Sequence, residues 1–399
     1  MKSNNDVVIV SACRTPIAKF GGSFKNFNAS ELGKIVLTEV IKRVEIDVNT
    51  IDDIILGDCI QHPSEANTAR TAMLLAGFPE HIPACTIQRQ CSSAMQAVEL
   101  GFLKIKNNDA DVVIAGGVES MSNAYFYVDG ARWGLKLQHA KFTDAMLEML
   151  YSGSSVLSGK PMIMGETAEN LAEMYVISRE EQDEVALRSH NNAENAIKNG
   201  KFKDEIVSVE VKKRKKSEIV EIDEHVRFGL KLEDLQKLQP VFKKDGTVTA
   251  GNSSGLNDGA AVLLIMKRNR AKELGLEILS KIKGFAVAGV RPEIMGIGPV
   301  YSTRKLLKKL KIDLKDIDLI ELNEAFAAQY LACEKELNLN REITNVNGSG
   351  IGLGHPVGCT GARITISLMY EMRRRNVELG LATLCVGGGM GMSCILEAE

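Results

Sequence analysis

Cys91, His355 and Cys385 carry most of the chemistry this chain can offer. Cys91 stands in Gln90-Cys-Ser-Ser93, directly ahead of an Ala-, Met- and Leu-rich helical stretch, Ser92–Leu103. A thiol at a helix start faces unpaired N–H groups and the positive end of the macrodipole, which lower its pKa and favour the thiolate. On position alone a buried, inert cysteine is the commoner meaning. His355 is crowded by Gly348, Gly350, Gly352, Gly354, Gly358 and Gly361. Such a loop approaches a ligand without Cβ atoms in the way, and Pro356 biases His355 toward an extended conformation. A flexible linker is the competing reading, but linkers rarely lie between two strong apolar elements. Cys385 ends an apolar run before Gly387-Gly388-Gly389, whose N–H groups could serve as oxyanion donors. A core cysteine is the alternative there. Asn323-Glu324, after the Asp318–Leu322 run, is a fourth candidate. Two cysteines and a histidine at strand ends in glycine-rich surroundings suggest covalent acyl transfer.

Strand–turn–helix units must position these groups. Val7–Ser11 reads as a buried strand, followed by Arg14-Thr15-Pro16, a Gly21-Gly22 turn and a helix capped by Ser30 that runs to about Arg43. Asp52–Leu56 reads as a strand, Asn67–Leu75 as a helix, Ala84–Gln88 as a strand leading into Cys91, and Asp111–Ala115 as a strand ending at Gly116-Gly117. Ile343 and Val346 suggest a strand before His355, and Ala362–Met369 a helix after it. The second half repeats the grammar of the first. Asp318–Leu322 resembles Asp52–Leu56, the Asn345–Arg363 loop into a helix resembles Gln88–Ser92 into a helix, and Ala382–Val386 before its glycines resembles Val112–Ala115 before Gly116-Gly117. Two similar α/β halves would bring residues from both to one site.

Residues 121–249 differ: more polar and charge-rich, with Trp133, helical stretches at Gly165–Val176 and Glu180–Lys198, and the run Lys212-Lys-Arg-Lys-Lys216. That run reads as a solvated hairpin or loop. Small residues return at Thr247–Ala261, before the apolar strand Val262–Met266.

At 399 residues, 45% of them hydrophobic, the chain exceeds the roughly 250–300 residues that one core usually serves. A net charge of −2 argues against a nucleic-acid partner. Eight cysteines show no C-x-x-C pair and no zinc spacing, so no metal is expected and reduced thiols in a cytoplasmic protein fit best. No apolar run reaches the roughly 20 residues that span a bilayer, and the N-terminus lacks a signal-peptide hydrophobic region.

The sequence resembles the thiolase family along essentially its whole length. The resemblance rests on Ser11-Ala-Cys-Arg-Thr-Pro16 with Phe20-Gly-Gly22, Gln90-Cys-Ser-Ser93, Gly116-Gly-Val-Glu-Ser-Met-Ser122, Asn323-Glu-Ala-Phe-Ala-Ala328, Gly354-His-Pro356 and Cys385-Val-Gly-Gly-Gly-Met-Gly391, in that order. It implies an α/β thiolase-like fold: two duplicated halves in a five-layer αβαβα arrangement, with an inserted loop domain. The divisions expected are 1–120 with 250–275 for the first half, 121–249 for the loop domain, and 276–399 for the second half.

The resemblance also implies roles. Cys91 would carry the acyl group as a thioester. His355 would take the thiol proton and polarise the thioester oxygen with a water held by Asn323. Cys385 would remove a proton from C2 of a second acetyl-CoA, or activate the CoA thiol in thiolysis. Backbone N–H groups of Cys91 and Gly387 would stabilise the oxyanion. Acyl-CoA and CoA would be substrates, with no separate cofactor. Arg227 would reach the CoA phosphates and Ser254 the pantetheine, with Met164, Phe242, Ala250, Ala325 and Phe326 lining the tunnel. As plain structure, Arg227 would be a surface charge and the apolar residues core.

Three departures stand out. Ile163 precedes Met164-Gly165 where short-chain members often have histidine, Tyr151–Pro161 differs from their pattern, and Ala94 stands where glycine is frequent. The first expectation is an acetyl-CoA acetyltransferase condensing two acetyl-CoA reversibly; the second is a degradative 3-ketoacyl-CoA thiolase acting on longer chains. A non-catalytic acyl-CoA-binding protein would lack one of Cys91, His355 and Cys385, and a Cys–His hydrolase would not need Cys385. The Gly130–Gly134 loop resembles a region of tetramer contacts, so a homotetramer is expected, with neither membrane nor nucleic acid as partner.

Overall fold

Runs of Val, Ile, Leu and Ala build the central feature, a mixed sheet. The structure, a computed structural model, describes residues 3–151, 161–213 and 216–399. The main strands are β1 (Val7–Arg14), β2 (Asp53–Gly57), β3 (Ala84–Ile87), β4 (Val112–Ser120), β5 (Asn257–Lys267), β6 (Ser280–Gly289), β7 (Leu319–Leu322), β8 (Leu379–Val386) and β9 (Met390–Glu397). Their order is β7-β8-β9-β6-β1-β5-β4-β2-β3. β2 lies parallel to β3 and β4, β7 parallel to β8, and the other neighbours are antiparallel.

The path is two copies of one pattern. β1-β5-β4-β2 repeats as β6-β9-β8-β7, and the two copies meet through Val8↔Lys281 and Ile9↔Ser280. Where β3 flanks β2, Thr344 makes a lone parallel bridge to Ile320 of β7. The duplication expected from the sequence is therefore present in the strand order.

Alternating side chains sort the core into layers. Helix α1 (Ala29–Lys42) packs Leu32, Val36 and Val40 against Leu56, Ile114 and Leu264 on the outer face of the first half. Helix α2 (Ser93–Lys106) lies between the halves, where Met95 and Val98 join Leu263 and Leu384. Helices α3 (Met164–Met174) and α4 (Arg179–Lys198) belong to the middle region. Helices α5 (Gly298–Leu310) and α6 (Ala327–Leu337) cover the outer face of the second half, with Val300, Leu306 and Leu331 against Leu322, Leu381 and Ile395. Helix α7 (Val357–Arg375) shares the central layer with α2 and is buried on every side from Val357 to Met369. A helix buried all round belongs inside a layered fold. The layers read helix, sheet, helix, sheet, helix, the five-layer order expected.

Several boundaries differ from expectation. Asn28, not Ser30, begins α1, and the Ser30 hydroxyl turns to Glu65 instead. β4 does not stop at Gly116-Gly117 but runs to Ser120. At Gly117 a Cβ would sit 2.1 Å from the Gly358 carbonyl oxygen, so glycine there lets α7 lie on the strand rather than ending it. The strand expected before His355 shrinks to the Thr344 bridge, because Asn345, at φ +51°, turns the chain out of the sheet.

The ends of the basic run lie on two paired antiparallel strands, Val209–Lys213 and Lys216–Val220, and its residues 214–215 lie outside the described residues. The buried Arg14 ties β1 to the middle region through Glu205 at 2.6 Å and Asp223 at 2.7 Å. Among the described residues no helix is long and apolar enough to cross a membrane.

Candidate active site

Cys91 lies on the tight turn between β3 and α2. Gln90 takes φ +46°, and the helix begins three residues later at Ser93. The thiol is nearly sealed, at 2% exposure. Burial pushes it up to about 11, opposed by the N–H groups of Gly387 and of Cys91 itself, both aimed at the sulfur, while the Glu119 carboxyl adds to the rise. The lowered thiol pKa expected from the helix start is thus overturned. Desolvation shifts a buried group by up to about 3–5 pK units, whereas a helix end contributes about 0.3–1 kcal/mol, less than one such unit.

His355 sits between the short helix Gly350–Leu353 and α7. Its backbone N–H donates to Asn257 Oδ1 at 2.9 Å. Its Nδ1 meets Thr360 Oγ1 at 2.6 Å, and that hydroxyl donates to the Pro356 carbonyl at 2.8 Å. With the Thr360 proton engaged there, Nδ1 is assigned as the N–H donor and Nε2 as a bare acceptor. Nε2 is buried and has no partner among the described residues. Burial, then the nearby Arg363 cation, lowers the imidazole to about 3, so it rests neutral.

Cys385 lies at the end of β8, fully buried. Burial raises its thiol well above the ordinary value, and the neighbouring Cys91 and Cys333 thiols add to the rise. The chain then turns through Gly387. A Cβ there would meet Met164 Cε at 2.7 Å, so the glycine is what lets this backbone reach Cys91 beneath α3.

Asn323 follows β7. Its N–H donates to the Thr383 carbonyl at 3.0 Å, its Oδ1 accepts from Arg363 at 3.5 Å, and its Nδ2 is buried without a partner among the described residues. Glu324, the neighbouring candidate, is occupied by Ser189 and by Asn345 Nδ2, the latter at 2.7 Å, and acts as a structural clasp.

Cys91 and His355 open on one cavity of about 350 Å³. Its walls include all seven residues expected to meet CoA: Arg227, Ser254, Met164, Phe242, Ala250, Ala325 and Phe326. Phe242 and Phe326 meet edge to face at 6.1 Å, and the Ser254 N–H donates to the Ala325 carbonyl at 2.9 Å. Arg227 is exposed and the rest of the wall is mainly apolar. Cys385, Asn323 and Gly387 lie outside the wall.

Sequence reasoning passed over His225, Ser253, Met295 and Leu150, which also line the cavity, and Thr360 and Asn257, which hold His355. Thr360 lay inside the glycine loop already singled out. Ser253 reaches the site through a bridge to Phe326, a pairing invisible in the sequence. Ile163 lines the cavity, while residues 152–160 of the divergent stretch lie outside the described residues.

Residues 7–269 match the thiolase N-terminal domain and residues 276–398 the thiolase C-terminal domain. The chain is 46% identical over 396 residues to the acetyl-CoA acetyltransferase of Syntrophomonas wolfei, spanning 98% of this chain and 99% of that one. The crystal structure of the Bacillus anthracis acetyl-CoA acetyltransferase superposes with a TM-score of 0.96 at 54% identity, covering 99% of both chains. That of human mitochondrial 3-ketoacyl-CoA thiolase in complex with CoA superposes with a TM-score of 0.94 at 42% identity, covering 99% of this chain and 98% of that one.

Proposed function

The chain belongs to the thiolase family of acyltransferases, and we propose that within it the protein is an acetyl-CoA C-acetyltransferase, reversibly condensing two acetyl-CoA to acetoacetyl-CoA and CoA. The observation that carries this reading is one meeting point. The Gly387 N–H is aimed at the Cys91 sulfur, at a cavity onto which His355 also opens.

In this reading Cys91 Sγ attacks the acetyl-CoA carbonyl while its proton passes to His355 Nε2, the free acceptor. The N–H groups of Cys91 and Gly387 serve the oxyanion of the transfer steps. Asn323 Nδ2, also buried without a partner among the described residues, holds a water that works with His355 on a thioester oxygen. Collapse expels CoA, which leaves as the thiol with the Cys385 proton. The Cys385 thiolate then removes a C2 proton from the second acetyl-CoA. The resulting carbanion attacks the acetyl-Cys91 thioester, acetoacetyl-CoA forms, and the imidazolium returns its proton to Cys91. Thiolysis runs the same steps in reverse, with Cys385 activating the CoA thiol.

The short-chain preference is supported by the size of the cavity. Ligand sites commonly span about 300–1,000 Å³, and this one, at about 350 Å³, must take the pantetheine arm as well as the acyl group. The acetyltransferase relatives support it too. The apolar side chain of Ile163 in the wall favours the second reading, a degradative 3-ketoacyl-CoA thiolase of longer chains. A thiolysis assay separates them: CoA is supplied with acetoacetyl-CoA and, in parallel, with a longer 3-ketoacyl-CoA. Selective cleavage of acetoacetyl-CoA is expected. Preference for the longer substrate would establish the second reading and make Ile163 and the stretch before it the specificity element.

A further inference from the structure

Behind Cys91 and His355 lie two carboxyls that the mechanism above does not use. Glu119, in β4, is fully buried, and Asp58, just past β2, is 1% exposed. Both Glu119 oxygens are occupied: Oε2 accepts from Gly358 N at 2.7 Å and Cys59 N at 3.2 Å, and Oε1 from Ile60 N at 3.2 Å. Three N–H donors favour the ionised form of an acid. Asp58 lies against it. Its Oδ2 accepts the Thr68 hydroxyl at 2.6 Å, its Oδ1 finds no donor among the described residues, and the two carboxyls are within hydrogen-bond reach. A Cβ on Gly358 would lie 2.8 Å from Glu119 Oε2 and 3.0 Å from Asp58 Cα, so both acids press on the same turn. Two touching, buried carboxyls cannot both ionise. A proton on Asp58 Oδ1 turns the orphaned oxygen into a donor toward Glu119.

We propose that Asp58 and Glu119 share one proton, and that this singly charged pair positions the Cys91 turn and the His355 loop relative to each other. The positioning half of the proposal rests on the roles given above to Cys91 and His355. Two paths leave Glu119. One runs through Cys59, whose Sγ meets the Gln90 carbonyl at 3.0 Å and Ser93 Oγ at 3.6 Å, on either side of Cys91. The other runs through Gly358 in the first turn of α7, where Thr360 holds His355 Nδ1. One carboxylate therefore anchors the backbone next to the nucleophile and next to the base.

Among the described residues the charges that weigh most on the pair are negative, each other's and, for Asp58, that of Glu65, while Arg363 and Arg14 act on the neighbouring Cys359. Glu65 faces Asp58, while Cys59, Cys91 and Cys359 feel the Glu119 charge. Burial raises both carboxyls above the ordinary carboxylate range, Asp58 to about 6, and each adds to the other's rise. As pH rises and the shared proton is lost, two adjacent negative charges repel across the anchor and raise the Cys91 thiol further. The pair therefore supports activity on the acid side of that ionisation and withdraws support above it.

Infrared difference spectra of the full chain, wild type against Asp58→Asn at neutral pH, test the shared proton. A protonated-carboxyl C=O band that moves in D₂O and vanishes in the variant is expected; its absence from the wild type overturns the proposal. Thiolysis against pH tests the positioning. Asp58→Asn keeps a fixed donor toward Glu119, so its kcat at neutral pH should stay near wild type and its alkaline limb should extend. Asp58→Leu and Glu119→Gln should lose about ten-fold or more in kcat, the order expected for an unpaired buried polar group, with KM little changed. An unchanged alkaline limb in Asp58→Asn, or equal losses in Asp58→Asn and Asp58→Leu, overturns the positioning role. A band that persists in an enzyme with no thiolysis activity overturns the acyl-transfer roles and leaves the shared proton standing. Should Glu119→Gln fail to fold, the two Asp58 variants still decide.

Discussion

Cys91 and His355 rest as thiol and neutral imidazole rather than as an ion pair. Burial raises one to about 11 and lowers the other to about 3, so each is poised away from charge until a substrate arrives. This sets a pH dependence with a definite sign. A thiol raised that far is almost wholly protonated at neutral pH, and its thiolate fraction grows about ten-fold per pH unit up to that value. Alkylation of Cys91 in the free enzyme, followed by mass spectrometry of the labelled peptide, should therefore keep accelerating past pH 9. A plateau below pH 8 would mean a resting Cys91–His355 ion pair and would overturn this reading. At this scale the sequence was legible in residue type and opaque in environment. Cys91, His355 and Cys385 stand out by their glycine neighbours and helix-start position. The sign of the Cys91 shift did not, because it depends on how completely α2, α7 and the Gly387 turn close over the sulfur.

The Gly387 turn depends on two elements that are far apart in sequence. β8 delivers the turn, and the first residue of α3, Met164, lies over it with Cε 2.7 Å from where a Cβ would be. Gly387→Ala should therefore displace the N–H from Cys91. Complete removal of an oxyanion donor costs about 10²–10³ in kcat, and a displaced one should cost about ten-fold or more. Met164 ends in a flexible thioether, so Met164→Ala in the same chain should restore much of the loss. Single-turnover acetylation of Cys91 in the three variants checks this, and a double variant as slow as Gly387→Ala would place the fault in the backbone instead. Elements with a strong apolar run were readable from the sequence: β1, β2, β8 and α2 fall within a few residues of expectation. The failures share a cause. β4 continues through Gly116-Gly117 and the Thr344 strand reduces to one bridge because tertiary neighbours, α7 in one case and the Asn345 turn in the other, decide what local signals cannot.

At the scale of the whole molecule, duplication explains why one site draws on both halves. α2 and α7 occupy equivalent places, each entered by a loop that carries a reactive side chain, and the central layer brings those loops together. The sequence hinted at this through the repeated strand–glycine–helix grammar. We propose the three-part division at 1–120 with 250–275, 121–249 and 276–399, in which the middle part supplies much of the cavity wall and extends outward. That extension carries Phe126, Trp133, Leu137 and Phe142, all largely exposed, with Trp133 at 85%. Four large apolar side chains within one short segment are more than a solvated surface usually shows, and such patches mark interaction sites. A second copy of the chain is the occupant we propose, in a homotetramer. Light scattering on the eluting enzyme should give about four times the 43.5 kDa chain mass. Trp133→Asp with Phe142→Ser should lower that mass while leaving Cys91 labelling unchanged, because neither residue lines the cavity. A wild-type protein that elutes as a monomer would overturn the assembly and leave the patch to a different partner. A double variant that stays tetrameric would move the contact elsewhere on the molecule.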